Sequence, residues 1–208
     1  MSILIVDYGM GNLASVRRAL EECGATAMVS ADPADVATCS RIILPGVGSF
    51  SDAMGKLTAR GWVEPLRQAG AVDRIPTLGI CLGMQLLASS GSEGGTTPGL
   101  DLVPGTVARL DPLDPQERIP HVGWNRVDWK YSHPLTADIA EQSDFYFVHS
   151  YSFRAASDAD VLATTPYCGQ VVSAIAHGAI AGFQFHPEKS SRAGFQLLRN
   201  FINWNPDA

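Results

Sequence analysis

The chain has 208 residues, of which 46% are hydrophobic and 17% charged, and its formal net charge at pH 7 is −6. Length and composition predict one globular domain, residues 1–208, with a sizeable core rather than a disordered chain. The acidic balance argues against nucleic-acid or anionic-membrane binding, and no apolar run approaches the roughly 20 residues that span a bilayer.

The N-terminus, M-S-I-L-I-V-D-Y-G, lacks the basic region and long apolar core of a signal peptide. The four cysteines, at positions 23, 39, 81 and 168, form no C-x-x-C pair that would indicate a zinc or redox site. We therefore expect a cytoplasmic protein with no membrane or nucleic-acid partner, no metal and no cofactor.

In the first half of the chain, short apolar runs alternate with segments of helical spacing. Strands are expected at residues 2–6, 27–29, 41–44 and 75–80, and helical segments are expected to begin near Asn12, Asp32, Ser49 and Trp62. This alternation is typical of right-handed βαβ units, which build a parallel sheet.

The second half is expected to be richer in strands. They are predicted at residues 106–110, 125–129, 145–148, 161–164, 171–176 and 180–185, before a closing helix over 190–204. Several are joined by short turns, and the segments 89–98 and 111–120 are expected to be surface loops. The predicted fold is therefore α/β, with a mostly parallel central sheet flanked by helices and an antiparallel extension in the second half.

The stretch around Cys81, G-I-C-L-G-M-Q-L-L at 79–87, changes from an apolar strand pattern to helical spacing without a loop. Cys81 lies at the apex of this change, with Gly79 and Gly83 two residues away on either side. This is the arrangement of a nucleophile elbow with sulfur in place of oxygen. The helix dipole would stabilise a thiolate there, although a buried, unreactive cysteine is the alternative.

Two other strand ends carry groups that could serve such a nucleophile. His186 follows an apolar strand, and Glu188 would share its side of an extended chain, so that the carboxylate could orient the imidazole. The alternative is a strand end with a solvated Glu188. The P-G-V-G stretch at 45–48 also follows a strand, where its backbone N–H groups could bind an oxyanion, or it could be a plain turn.

These motifs resemble those of the class I glutamine amidotransferases. More closely, the chain is similar to the glutaminase subunits of imidazole glycerol phosphate synthases of histidine biosynthesis. The matching stretches run in family order: D-Y-G-M-G-N (7–12), P-G-V-G-S-F (45–50), G-I-C-L-G-M-Q-L-L (79–87), P-H-V-G-W-N (120–125), Y-F-V-H-S-Y (146–151) and F-H-P-E-K-S (185–190).

The resemblance implies a role for each matching residue. Cys81 would attack the side-chain amide of L-glutamine, His186 would move the protons, and Glu188 would orient His186. The other implied site residues are the oxyanion-hole residues Leu82 and, after a loop rearrangement, Val47 or Gly48, and the glutamine-binding residues Gln85, His149, Ser150 and Tyr151. Asn12, Trp124 and Lys189 would lie towards the partner.

The resemblance further implies a heterodimer with a (βα)8-barrel cyclase that receives the ammonia and makes imidazole glycerol phosphate. The segments 89–98 and 111–118 look longer or looser than in the family, which puts the local interface in doubt but not the chemistry. Two other interpretations stay open. The chain could be the glutaminase subunit of another synthase, such as pyridoxal phosphate synthase, or a non-catalytic scaffold relative, against which the intact Cys81, His186 and Glu188 argue.

Overall fold

The structure, a computed structural model, describes residues 2–207. The strands of this part of the chain are β1 (Ser2–Val6), β2 (Thr26–Ser30), β3 (Arg41–Gly46), β4 (Thr77–Cys81), β5 (Ser90–Gly91), β6 (Thr97–Pro98), β7 (Gly105–Arg109), β8 (His121–Arg126), β9 (Asp128–Trp129), β10 (Asp144–His149), β11 (Tyr151–Ala155), β12 (Val161–Pro166), β13 (Gln170–His177) and β14 (Ile180–Phe183). The α-helices are α1 (Leu13–Glu22), α2 (Phe50–Ala59), α3 (Val63–Arg67), α4 (Leu82–Leu86) and α5 (Ser191–Asn203). Short 3-10 helices occupy Pro33–Thr38, Pro134–Thr136, Asp158–Asp160 and Pro187–Lys189, and a π-helical turn, Gln68–Val72, follows α3.

The central sheet has eight strands in the order β2-β1-β3-β4-β14-β13-β12-β9. The first five strands of this order are parallel, and the last three continue the sheet by antiparallel pairing. The predicted α/β fold with an antiparallel extension is therefore confirmed. Two smaller sheets, β10-β8 and β11-β7-β5-β6, lie outside the central one.

Two apolar layers cover the two faces of the parallel strands. Because side chains alternate along a strand, Leu4 and Val6 of β1 pack with α2, α3 and α4, whereas Ile3 and Ile5 pack with α1 and α5. The helix α1 begins where the sequence predicted, after Asn12. The Asn12 side chain caps the helix by accepting a hydrogen bond from its first turn. Burial of both faces explains why the strands are apolar without alternation.

The structure corrects several sequence expectations in the second half of the chain. The segment 89–98 is not wholly a loop, because β5 and β6 pair with each other and β5 pairs with β7. The strand expected at 125–129 is instead the pair β8 and β9. The strand β11 was missed, since only Ser150 separates it from β10 and its own sequence, Y-S-F-R-A, mixes polar and apolar residues. Two-residue strands and one-residue bends carry too little periodicity to be read from sequence.

The carboxyl ends of four neighbouring parallel strands meet at one edge of the central sheet. The segments that follow β1, β3, β4 and β14 there contain Asn12, Val47, Leu82 and His186, respectively. This edge is where open parallel sheets bind ligands. In residues 2–207, no helix is long and apolar enough to span a membrane.

Candidate active site

The strand β4 passes directly into α4 at Cys81, as the sequence predicted. Cys81 has φ +54° and ψ −111°, a conformation that L-residues rarely adopt. The turn is possible because its flanking glycines lack side chains: a Cβ on Gly83 would lie 1.7 Å from the carbonyl oxygen of Leu44, and one on Gly79 would lie 2.6 Å from that of Gly83. Such strain is typical of functional sites.

Cys81 lies at the bottom of a pocket, and the residue is only 6% exposed. Its Sγ is 3.8 Å from the carbonyl oxygen of Val148 and 3.8 Å from Nε2 of Gln184. The thiol therefore has an acceptor on one side and an amide donor on the other. The Val148 carbonyl oxygen can accept a hydrogen bond from the S–H group, and the Gln184 amide can donate one to a thiolate.

His186 and Glu188 form a buried pair beside this thiol. The chain between them is not extended, as the sequence argument assumed, because Pro187–Lys189 is a 3-10 turn. The side chains still meet, with His186 Nδ1 2.7 Å from Glu188 Oε1 and side-chain exposures of 3% and 1%. A solvated Glu188 is thus excluded. The Ser190 hydroxyl donates to the His186 carbonyl oxygen and accepts from the Tyr146 N–H, which holds this turn against β10.

The electrostatics of the pair favour a protonated imidazole. Burial lowers the pKa of His186, but hydrogen bonding and charge interaction with Cys81 and Glu188 outweigh it and raise the pKa to about 9. Nδ1 is engaged with Glu188, so Nε2 is the ring nitrogen that faces the thiol; it has no conventional hydrogen-bond partner in residues 2–207. A base oriented by a carboxylate and aimed at a thiol is the arrangement required for an activated nucleophile.

The pocket above Cys81 has a volume of about 290 Å³. All of the residues that the sequence singled out for oxyanion or glutamine binding line this pocket, namely Val47, Gly48, Leu82, Gln85, His149, Ser150 and Tyr151. Glu93, Pro120 and Val148 also line it. Glu93 was missed because it lies in the segment expected to be a plain loop. Its carboxylate accepts a hydrogen bond of 2.7 Å from the N–H of Phe50.

In the P-G-V-G stretch, Pro45 and Gly46 are anchored to the rest of the fold, whereas Val47 and Gly48 form its tip. The Tyr8 hydroxyl donates to the carbonyl oxygen of Pro45, and Gly46 still pairs with Cys81 in the sheet. Val47 and Gly48 then turn away from the sheet, with Gly48 at φ +113°, a value that favours glycine. The stretch is therefore more than a plain turn, because it forms one wall of the pocket.

A chain of hydrogen bonds supports another wall. The Nδ1–H of His149 donates to the carbonyl oxygen of Tyr151, so its Nε2 must accept from Nδ1 of His121, 3.0 Å away. Nε2 of His121 then accepts from Asn125, 3.3 Å away, while its ring stacks on Tyr167 at 3.9 Å. Both rings are neutral, because burial lowers the pKa of His121 to about 4 and that of His149 to about 3. His149 therefore has no ring nitrogen left for a ligand.

The three residues predicted to face a partner lie outside the pocket. Trp124 is 54% exposed and stacks edge-on against Tyr146, whose ring also lies 5.8 Å from Nζ of Lys189. Asn12 is exposed at the start of α1, where its side chain caps Ser15. The helix α1, which begins directly after Asn12, contacts the turn that contains Lys189.

Comparison with known proteins identifies the family of the chain. Residues 4–204 match the family model of glutamine amidotransferase class-I. The chain is 49% identical over 199 residues to imidazole glycerol phosphate synthase subunit HisH of Symbiobacterium thermophilum, covering 96% of this chain and 92% of that protein. It is 46% identical over 199 residues to the HisH subunit of Moorella thermoacetica, covering 96% and 93%.

Among solved structures, PurLQS from Thermotoga maritima has a TM-score of 0.75 at 19% identity and covers 97% of both chains, which supports the fold alone. The family model spans nearly the whole chain, and the HisH relatives align over nearly the whole of theirs. The chain belongs to the class I glutamine amidotransferase family and, within it, to the HisH subunits of imidazole glycerol phosphate synthase.

Proposed function

We propose that this chain hydrolyses L-glutamine to glutamate and ammonia with a Cys81-His186-Glu188 triad. The observation that carries the proposal is the meeting of the strained Cys81 elbow with the buried His186–Glu188 pair at the floor of one pocket. Together, these two features match the requirements of acyl transfer.

The reaction follows from the positions of these groups. With the thiol proton held on Nε2 of His186, as the raised pKa of that imidazole favours, Sγ attacks the amide carbon of glutamine and forms the C–S bond. His186 then donates the proton to the amide nitrogen as the C–N bond breaks, which releases ammonia and leaves a thioester. Water attacks the thioester carbon, gives its proton to His186, and the C–S bond breaks to release glutamate and restore the thiol.

The developing oxyanion needs preorganised donors. The N–H of Leu82, at the start of α4, is one candidate, since the first N–H groups of a helix lack intrahelical partners. The second is the N–H of Val47 or Gly48, which becomes aligned after the tip of the 45–48 stretch rearranges. Losing one such donor typically costs about 2.7–4 kcal/mol, so this tip is suited to control the rate.

Glutamine itself would be held by the upper part of the pocket. Gln85 directs its amide N–H groups to Tyr151 and Gln184, which leaves its oxygen as an acceptor for the substrate. The Glu93 carboxylate fits the α-ammonium group, and the Ser150-Tyr151 segment borders the same space. His149 would act through the Tyr151 carbonyl rather than by touching the substrate.

The ammonia would pass to a (βα)8-barrel cyclase subunit, which makes imidazole glycerol phosphate within a heterodimer. Apolar side chains near the pocket support a docking face. Val122 and Val148 are paired across β8 and β10 and are 56% and 38% exposed, next to the exposed Trp124. Lys189 and Asn12 would border this face, and Trp124 would be buried by the partner.

A coupled assay tests the proposal. In the complex with the cyclase, Cys81→Ser should abolish glutamine-dependent synthesis and leave ammonia-dependent synthesis intact, because Cys81 serves only the first reaction. Cys23→Ser, a matched change at the far end of α1, should leave both unchanged. Glutamine hydrolysis by folded Cys81→Ser, or loss of both activities, would overturn the assignment. Copurification with a pyridoxal phosphate synthase barrel instead would support the alternative partner.

A further inference from the structure

The side chain of Gln184 is fully buried, yet it lies beside the nucleophile. Gln184 follows β14, two residues before His186, and its exposure is 0%. Its Nε2 is 3.8 Å from Sγ of Cys81, and its Oε1 accepts a hydrogen bond of 3.0 Å from Nε2 of Gln85. A buried amide costs free energy unless both ends are satisfied, so these two contacts account for its place.

The hydrogen-bond network determines which end of this amide faces the sulfur. The carbonyl oxygen of Tyr151 can only accept, so the group of Gln85 that lies 2.9 Å from it must be Nε2. The same Nε2 lies 3.0 Å from the Gln184 side chain, which must therefore present Oε1 to it. The remaining end of Gln184, its NH₂ group, then points to Cys81. If the oxygen and nitrogen of the Gln184 amide were exchanged, its NH₂ group would face the NH₂ group of Gln85 at 3.0 Å, with no acceptor between them.

We propose that Gln184 stabilises the thiolate of Cys81 by donating a hydrogen bond to Sγ, and at the same time fixes the orientation of Gln85. The inference rests on the proposed role of Cys81 as nucleophile. A neutral thiol is a weak acceptor, whereas a thiolate is a charged one, so the Gln184 contact strengthens when the proton moves to His186. The carbonyl oxygen of Val148, on the other side of the sulfur, can only accept and cannot provide this support.

Other ionisable groups surround the sulfur and must be separated from this effect. His186 and Glu188 approach it from the turn after β14, Tyr8 from the segment after β1, His149 from β10 and Glu93 from across the pocket. Burial raises the pKa of Tyr8 and lowers that of His149, so both are neutral near pH 7. The substitution Gln184→Met alters none of these five side chains, so that a change in the reactivity of the Cys81 thiol reports the lost amide donor.

The test compares Gln184→Met, which keeps the length of the side chain but not its donor, with Gln184→Glu. The matched control is Gln196→Met, which removes an amide from α5 whose side-chain partner within residues 2–207 is Asn200. Alkylation of Cys81 by iodoacetamide is followed from pH 5 to 10 by mass spectrometry of the Cys81 peptide, because Cys23, Cys39 and Cys168 are also free. Thermal unfolding confirms that each variant is folded.

We expect Gln184→Met to shift the pH midpoint of alkylation upwards and to slow the reaction about tenfold at pH 7, as suits the loss of a hydrogen bond to a charged group. In the complex, kcat for glutamine should fall by a similar factor, and KM should rise because Gln85 loses its partner. Gln184→Glu should be slower still above pH 7, since a carboxylate repels the thiolate.

Unchanged alkylation profiles in both folded variants would overturn the inference. If Gln184→Met fails to fold, an unchanged profile in Gln184→Glu is sufficient to do so. The outcome is separable from the proposed function, because loss of glutaminase in Cys81→Ser would still establish Cys81 as the nucleophile. Retained glutaminase in Cys81→Ser would instead overturn the proposed function itself.

Discussion

The substitution Gly83→Ala tests the physical basis of the elbow, because it adds one methyl group without changing charge or polarity. That methyl carbon would lie 1.7 Å from the carbonyl oxygen of Leu44 and 2.8 Å from its carbonyl carbon. Ordinary contacts of this kind begin near 3.4 Å, so α4 and β3 would have to separate by well over 1 Å. Leu44 is paired with Gly79 in the central sheet and cannot move alone.

The expected loss of folding stability in Gly83→Ala depends on which atoms must move to make room for the methyl group. Overpacking against side chains typically costs about 1–3 kcal/mol, and here the obstacle is backbone within a buried ladder, so at least about 3 kcal/mol is expected. For a chain of this size, that corresponds to a fall in Tm of roughly 6–12 °C. Glutaminase activity should fall as well, because the same shift displaces the N–H of Leu82 and the Cys81 side chain.

Gly55→Ala is the matched control. Gly55 lies within α2, and a Cβ there would meet nothing within 4 Å. Alanine should stabilise that helix by about 0.5–1 kcal/mol. Urea denaturation and thermal unfolding of both variants, with glutaminase assays of the complex, measure the contrast. Equal stability of Gly83→Ala and Gly55→Ala would refute the reasoning, because it would mean that α4 does not need its close approach to β3.

Two further predictions concern the ionisable groups. Glu188→Gln should lower glutaminase kcat less than His186→Ala does, because Glu188 orients and supports the imidazole whereas His186 itself moves the proton, a step that typically contributes about 10²–10⁴-fold; an equal or greater loss from Glu188→Gln would reverse these roles. The second prediction is acid lability. The pKa of His121 falls from 6.5 to about 4 on folding, so its contribution is present above about pH 6.5 and is lost as the pH falls towards 4, with a magnitude on the order of 3 kcal/mol. Urea midpoints from pH 7 to 4 should fall less steeply in His121→Gln than in the parent chain, and identical slopes would contradict the assignment.

Part of the site could be predicted from local sequence, because the groups concerned are adjacent in the chain. The change from strand to helix at Cys81 and the short spacing of His186 and Glu188 are both local patterns. The H-P-E stretch also shows the limit of such reasoning. Its two side chains do meet, but through a 3-10 turn rather than along a strand, since Pro187 begins the turn.

The sequence by itself determined the α/β class, most element positions and the candidate nucleophile, because hydrophobic periodicity, caps and glycines act over a few residues. The tertiary structure decided which strand ends share an edge, and it brought Gln184 to the Cys81 thiol and Glu93 to the pocket above it. It also aligned His121 and His149 into a neutral pair behind the pocket wall. These contacts join residues from distant parts of the chain, and their partners depend on the order and register of the sheets, which no local pattern specifies.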